Sequence, residues 1–475
     1  MHSLKSFSSK ERKVGADAVN ELAGRLRGDV LQPEEAGYDE ARHVWNGMVD
    51  KRPALIVQCA HTDDVVTAVH FARANDLLLA VRGGGHNVAG HGTNDGGLVI
   101  DLGPMNDVEV DPDARLVRAG GGATIADLDA ATQEHGLAVP MGVVSQTGIA
   151  GLTLGGGIGW LRNKYGLSCD NLVAAEVVTA EGKVITASAA EKADLLWGLR
   201  GGGGNFGIVT EFTFRAHPVG PEVMFVFTLY HGSKIREALR YYRGYCETAP
   251  DEVSSFAICG DVPPEEVFPE TIHGEPYVLF AACYAGSVEE GQRVLQPLRE
   301  FDEPMVDFSG PMSYADDVQT ILDENYPDGM RYYWKSLYLD SLDDDVIEAI
   351  VRQNEARPGA LSTVDVWHMG GAVREVGADE SAFGGREAPY LLGIEANWED
   401  AADDEANVTW AREAVKAMQP FSGGAEYLNF PGFLEGGEET MQSTFGEKYE
   451  RLRALKRKYD PNNVFRLNEN VKPAS

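Results

Sequence analysis

The chain of 475 residues is too long for one hydrophobic core, and a 43% hydrophobic content excludes a disordered protein. Its 74 acidic against 41 basic residues give a formal charge of -33. A field of that sign repels phosphate backbones and anionic lipid, so nucleic acid and membrane surfaces are not expected partners. Lysine is scarce among the bases and the acids are scattered, a pattern that fits a protein working in high salt, where repulsion is screened. Cys59, Cys169, Cys246, Cys259 and Cys283 contain no CxxC pair and are odd in number, which points to buried thiols in a reducing compartment rather than a disulfide framework or zinc site. The N-terminus has no apolar signal core and no run reaches membrane-spanning length, so a soluble, cytoplasmic protein is expected. The oligomeric state is not readable.

Residues 1–50 read as polar and helical. Residues 54–57 form a short apolar strand, Thr62, Asp63 and Asp64 can cap a helix over 65–75, and 77–81 is the next strand. This βαβ-like unit ends in Arg82-Gly83-Gly84-Gly85-His86-Asn87. The glycines allow positive φ and close backbone approach, and consecutive N–H groups make an anion-binding nest. His86 follows with a ring nitrogen that can act as base, ligand or nucleophile.

Residues 99–102 and 116–119 read as strands, and Thr124 can cap a helix through 128–135. The stretch 142–166 holds Gly148, Gly151, Gly155, Gly156, Gly157 and Gly159, too many for an ordinary helix or strand. Such backbone suits packing against a large planar ligand; a cluster of tight turns is the alternative. Residues 171–179 and 183–186 predict a hairpin, and 194–197 a short helix. The string Gly202 to Gly207 matches GxGxxG, but Ile208, Val209, Phe212 and Phe214 predict a strand after it where a Rossmann fingerprint requires a helix. A nicotinamide-type dinucleotide fold is therefore rejected.

Past a boundary at 218–221, strands are expected at 223–230, 254–259, 277–283, 362–367 and 390–398, with helices at 235–247, 288–301 and 346–357. This is a mixed domain on a largely antiparallel sheet. An amphipathic helix over 440–459 stops at Asp460-Pro461, and the tail 464–471 alternates apolar and polar residues.

RGGGHNVAGH, GLTLGGGIGWLRNKYGLSCDN, GGGGNFGIVTEFTF and YDPNNVFRLNENVKP, in this order across residues 40–473, resemble the berberine-bridge-enzyme-like branch of the FAD-linked oxidases, the vanillyl-alcohol oxidase or PCMH type. The resemblance implies an α+β fold. It has a two-subdomain PCMH-type FAD-binding domain (1–217), an inserted α/β substrate domain on an antiparallel sheet (218–435), and a C-terminal segment (436–475) returning to the FAD domain. It implies FAD linked through its 8α-methyl to His86. Val144 stands where some relatives place a second, cysteinyl link, so none is expected, and Cys169 reads as a packing thiol. The cofactor residues implied are Arg82, Gly83, Gly84, Gly85, His86, Asn87, Gly90, Gly142, Thr147, Gly148, Gly151, Leu154, Gly155, Gly156, Gly157, Gly159, Asp170, Asn171, Gly207, Val209, Asn468 and Asn470.

Two candidate catalytic bases follow. Tyr427 sits in a Tyr-x-Asn segment resembling that of sugar-oxidising relatives, where a phenol of lowered pKa serves as base. Glu395 lies mid-strand among apolar residues, a costly place for an idle carboxylate. The base glutamate of alkaloid-oxidising relatives aligns two residues away, at Gly393. His91 reads as surface or indirect, and His368 as a hydrogen-bonded core histidine. Val88 replaces a tyrosine of some plant-substrate relatives. The expected activity is hydride removal from a C–H next to oxygen of a sugar or other hydroxylated small molecule, with O2 as acceptor and H2O2 as product. A dehydrogenase with another acceptor and a flavin-binding protein without turnover are the alternatives. No metal is called for.

Overall fold

Leu55–Gln58, Leu79–Arg82 and Leu98–Asp101 are short apolar, β-branched runs, and each forms a strand. The computed structural model, which describes residues 2–5, 11–433, 435 and 437–474, pairs them in parallel. Leu98–Asp101 lies between the other two, and Asp29–Leu31 adds an antiparallel edge. The connecting helix, Thr62–Ala74, is capped by His61, whose Nδ1 accepts from the Asp63 amide, one residue before the expected cap. The first fifty residues are not uniformly helical. Strands His2–Lys5 and Glu11–Val14 precede helices Ala16–Ala23 and Tyr38–Arg42.

A five-stranded antiparallel sheet follows, in the order Val184–Ser188, Leu172–Val178, Ile208–Arg215, Leu116–Gly120, Val108–Asp111. The glycine string before Ile208 runs directly into a strand, which rules out the Rossmann arrangement. The helix Ile125–Gln133 starts at a Thr124–Asp127 capping box. Within 142–166 the structure does contain helix: Ile149–Leu154 and Arg162–Tyr165, each a turn or so long, with Gly151 inside the first.

The third sheet has eight strands, with Glu222–His231, Pro276–Tyr284, Val253–Asp261, Thr363–His368, Tyr390–Trp398 and Arg331–Leu339 adjacent in that order and antiparallel. Side chains alternate between its faces. Ala257, Cys259, Val364, Val366, Leu392 and Ile394 pack under the helices Ile235–Cys246, Asp344–Glu355 and Asp404–Met418. Phe256, Ile258, Trp367 and Leu391 face the other way, toward the glycine-rich segments. The strand Arg331–Leu339 and the helix Asp404–Met418 were not anticipated, although Pro327-Asp328-Gly329 marks a turn just before the first. All five cysteines are buried free thiols. Among the described residues, no helix is long and apolar enough to cross a membrane.

The C-terminal helix is two helices, Gly437–Phe445 and Tyr449–Tyr459. Gly446, at φ +52°, breaks the α-helical path between them. Beyond it, Lys456 and Asp460 form an ion pair of 2.8 Å with both side chains fully buried. Lys456 Nζ also donates to the carbonyls of Asn205 and Phe465 at 2.7 Å, and Asp460 accepts from the amides of Val464 and Phe465. The pair thus fastens the tail to the loop before Ile208. Asp460→Ala leaves a buried, unpaired ammonium and is expected to cost about 3–5 kcal/mol, read as a lower denaturation midpoint with an unchanged denaturant slope.

Candidate active site

The glycine nest and the second glycine block meet backbone to backbone. A Cβ on Gly84 would stand 2.5 Å from the Gly148 nitrogen, so neither position accepts a side chain without moving the other strand of chain. Around this contact opens a cavity lined by both blocks, by Gly203, Gly204, Gly207, Ile208 and Val209, by the tail residues Phe465, Leu467, Asn468 and Glu469, and by the inner face of the large sheet. Three sheets and the tail therefore share one hollow.

Of the residues expected to hold a cofactor, Arg82 to Asn87, Gly142, Thr147, Gly148, Gly151, Leu154, Gly155, Gly207, Val209 and Asn468 line it. The Arg82 guanidinium is held by Asp101 (2.7 and 3.2 Å) and by the carbonyls of Ala41 and His43. The remaining expected residues stand behind the wall, each for a packing reason. Gly90 has a φ of +66° and abuts Val49, Gly156 abuts Phe383, Gly157 abuts Ser168, and Gly159 lies against the Met141 carbonyl. Asp170 is engaged by Arg386 at 2.5 Å, Asn171 binds the carbonyls of Tyr165 and Leu167 and the ring of His217, and Asn470 does not line the cavity.

His86 stacks on Trp45, ring centroids 4.9 Å apart, and Trp45 stacks in turn on Tyr332 at 3.7 Å. Its Nδ1 lies 3.4 Å from Thr147 Oγ1. Burial lowers its pKa to about 4, so the imidazole is neutral at pH 7 and one ring nitrogen carries a free lone pair. His91 is not at the surface: it lines the same cavity, burial lowers it to about 4, and its Nε2 is 3.9 Å from Glu469. Glu469 is raised to about 7 by burial. Trp45 was missed because an aromatic residue outside the quoted motifs carries no local signal; His91 and Glu469 lie within those motifs, and only the fold turns both into the cavity.

Tyr427 and Glu395 both reach the cavity. The Tyr427 hydroxyl accepts from the amides of Gly157 (3.2 Å) and Ile158 (3.3 Å) and from Asn429 Nδ2 (2.8 Å). Burial pushes its pKa up to about 12 although these donors pull it down, so it is not the lowered phenol that was expected. Glu395 accepts from the Tyr326 hydroxyl at 2.7 Å, and burial raises its carboxyl above the usual range. Asp365, on the neighbouring strand, also lines the cavity and was not foreseen. His368 is outside it, with Nδ1 3.3 Å from Asn163 Nδ2. Val144 stands on the wall; Cys169 is buried in the apolar core away from it.

Residues 53–188 match the FAD binding domain family, and residues 426–472 match the berberine and berberine-like family. An FAD-linked oxidoreductase of Dictyostelium discoideum is 32% identical over 97% of this chain and 98% of its own. The (R)-6-hydroxynicotine oxidase of Paenarthrobacter nicotinovorans is also 32% identical, over 94% and 97%. The chain belongs to the berberine-bridge-enzyme-like FAD-linked oxidoreductases. The crystal structure of 6-hydroxy-D-nicotine oxidase from Arthrobacter nicotinovorans superposes with a TM-score of 0.86 at 28% identity, covering 97% of this chain and all of that one.

The cavity of this berberine-bridge-enzyme-like chain fits FAD. A side chain on Gly151 would meet nothing within 4 Å, so the backbone there faces open space. Among the described residues, His91 Nε2 and Asn468 Oδ1 are buried at the cavity without a hydrogen-bond partner. Wall backbone without side chains suits a large planar ring system, and the nest supplies N–H groups for a pyrophosphate. Gly84→Ala adds a methyl at the Gly148 contact, a strain of about 1–3 kcal/mol. It is expected to yield folded protein with substoichiometric flavin, measured as the ratio of flavin to protein absorbance.

Proposed function

We propose that the protein is an oxidase whose FAD is covalently attached through His86, and that it removes a hydride from a C–H next to oxygen or nitrogen of a small molecule. The observation that carries the covalent reading is His86 itself: a neutral imidazole at the end of the nest, braced by Trp45 and inside the cavity. A nucleophile must be unprotonated and held still, and burial and stacking supply both conditions. Bound FAD would supply the hydride acceptor and pass electrons to O2, giving H2O2. Gly83 to Asn87, Gly148, Gly151 and Asn468 would hold it.

The chain's own part is to bind substrate against the large sheet, exclude water and take a proton. Tyr427 is one candidate for that proton. Three donors converge on its oxygen, an arrangement that stabilises a phenolate as it forms. Glu395 is the other, since burial raises its carboxyl toward the neutral range where a base works best. The named substrate of the bacterial relative is a nicotine derivative, which sets C–H next to nitrogen beside the hydroxylated substrates that the Tyr-x-Asn segment suggests. Val144 leaves a single covalent bond, through His86.

Acid-precipitated wild-type protein is expected to keep its flavin absorbance in the pellet, and His86→Ala to release it entirely to the supernatant. A colourless wild-type pellet would refute the link. Reduced protein mixed with air-saturated buffer is expected to form H2O2 as the flavin colour returns; slow reoxidation without peroxide marks a dehydrogenase instead.

A further inference from the structure

Residues 43–49 run between the glycine nest and the large sheet and are stitched to both. Toward the nest, the Trp45 amide donates to the Gly85 carbonyl at 3.3 Å, and Asn46 Nδ2 to the Val88 carbonyl at 2.7 Å. Toward the sheet the bonds are more numerous. Trp45 Nε1 donates to the Tyr326 carbonyl at 2.9 Å, the Gly329 amide to the Trp45 carbonyl at 2.9 Å, and the Gly47 amide to the Met330 carbonyl at 2.8 Å. Asn46 Nδ2 also reaches the Tyr332 carbonyl at 2.8 Å, and Arg331 donates to the Gly47 carbonyl at 3.2 Å. A Cβ on Gly47 would stand 2.0 Å from the Gly329 carbonyl oxygen, so the two backbones touch. Residues 326–332 are the approach to the strand Arg331–Leu339 and its first two residues.

The indole of Trp45 carries this attachment to His86. It stacks on the Tyr332 ring, centroids 3.7 Å and planes 9° apart, and on the His86 ring, at 4.9 Å and 16°. His86 has no comparable polar anchor. Among the described residues, the hydrogen-bond partner of its ring is Thr147 Oγ1, at 3.4 Å, the long end of the range. The torsion that turns an imidazole about its Cβ–Cγ bond is broad, so hydrogen bonds or packing must set the angle. Here packing on Trp45 sets it. Trp45 is 3% exposed and Tyr332 is fully buried, so neither ring has room to swing aside.

We propose that Trp45 is the positioning residue for the covalent link at His86, and that the link forms only after the large sheet has closed on the nest; this rests on the covalent reading above. FAD can enter on the backbone N–H groups of the nest alone. His86 attacks only when Trp45, held by Tyr326 and Tyr332, aims it. In the linking step a C–H bond of the 8α-methyl and the imidazole N–H bond break, and a C–N bond forms. Both hydrogens, with one electron pair between them, pass to the flavin ring, which is left reduced. O2 then takes them as H2O2. A misaimed nucleophile loses rate steeply, by about a hundredfold for a displacement near 1 Å. Permanent attachment is thereby reserved for molecules whose substrate wall is already in place.

Full-length protein produced without flavin and mixed with FAD in aerated buffer tests this. Bound flavin is read from the shift of its spectrum, and linked flavin from the acid pellet over time. Trp45→Leu is expected to bind FAD within about threefold of wild type and to link it at least about thirtyfold more slowly. Trp45→Phe restores a stacking ring and is expected to link within about threefold of wild type. Tyr332→Leu is expected to slow linking at least about tenfold, and the double variant to be no slower than Trp45→Leu alone. Linking at the wild-type rate in Trp45→Leu or in Tyr332→Leu overturns the proposal. So does a loss of bound and linked flavin in equal measure, which marks the two rings as packing for the wall alone. A wild-type protein that binds FAD and never links it defeats the covalent reading, and this proposal with it.

Discussion

The contact between Gly84 and Gly148 is the constraint on which the rest of the site depends. Two backbone segments, one leaving the strand Leu79–Arg82 and one entering the helix Ile149–Leu154, approach so closely that neither tolerates a Cβ. Because they meet there, the nest that follows Leu79–Arg82 opens onto the second glycine block and not onto solvent. The Arg82–Asp101 pair fixes the strand end from which the nest departs. Asn46 ties the far side, donating to the carbonyls of Val88 and Tyr332 and so linking the nest to the large sheet. His86 is then held by stacking on Trp45, whose own indole N–H donates to the Tyr326 carbonyl.

Electrostatically the cavity is the inverse of the surface. The chain as a whole is strongly acidic, with its charge dispersed in water. Inside, burial removes charge: His86 and His91 are neutral, and Glu469, Glu395 and Asp365 are all raised. A low-dielectric interior strengthens whatever polar interaction remains. All five of these groups line the one cavity. Tyr427 shows the opposing terms most clearly, with desolvation pushing its pKa up and three donors restraining it.

Local signals in the sequence were read correctly where the structure is locally determined. Short apolar runs located the strands Glu222–His231, Val253–Asp261 and Pro276–Tyr284, and the strand after Gly207 excluded the Rossmann fold. The glycine blocks located the cavity, but not which glycines face it. Gly148 and Gly151 do, whereas Gly156, Gly157 and Gly159 relieve crowding against Phe383, Ser168 and Met141. The helix expected at 440–459 breaks at Gly446, where a single positive φ outweighs amphipathic periodicity.

The sequence by itself determined where the backbone can bend, which faces are apolar and that His86 ends a nest, because these depend on residues a few positions apart. The tertiary structure alone decided that Trp45 braces His86, that Glu469 returns to meet His91, and that Asp365 joins Glu395 across two strands. Burial, pairing and the resulting protonation depend on neighbours tens to hundreds of residues away. No local pattern encodes them until the sheets have closed on one another.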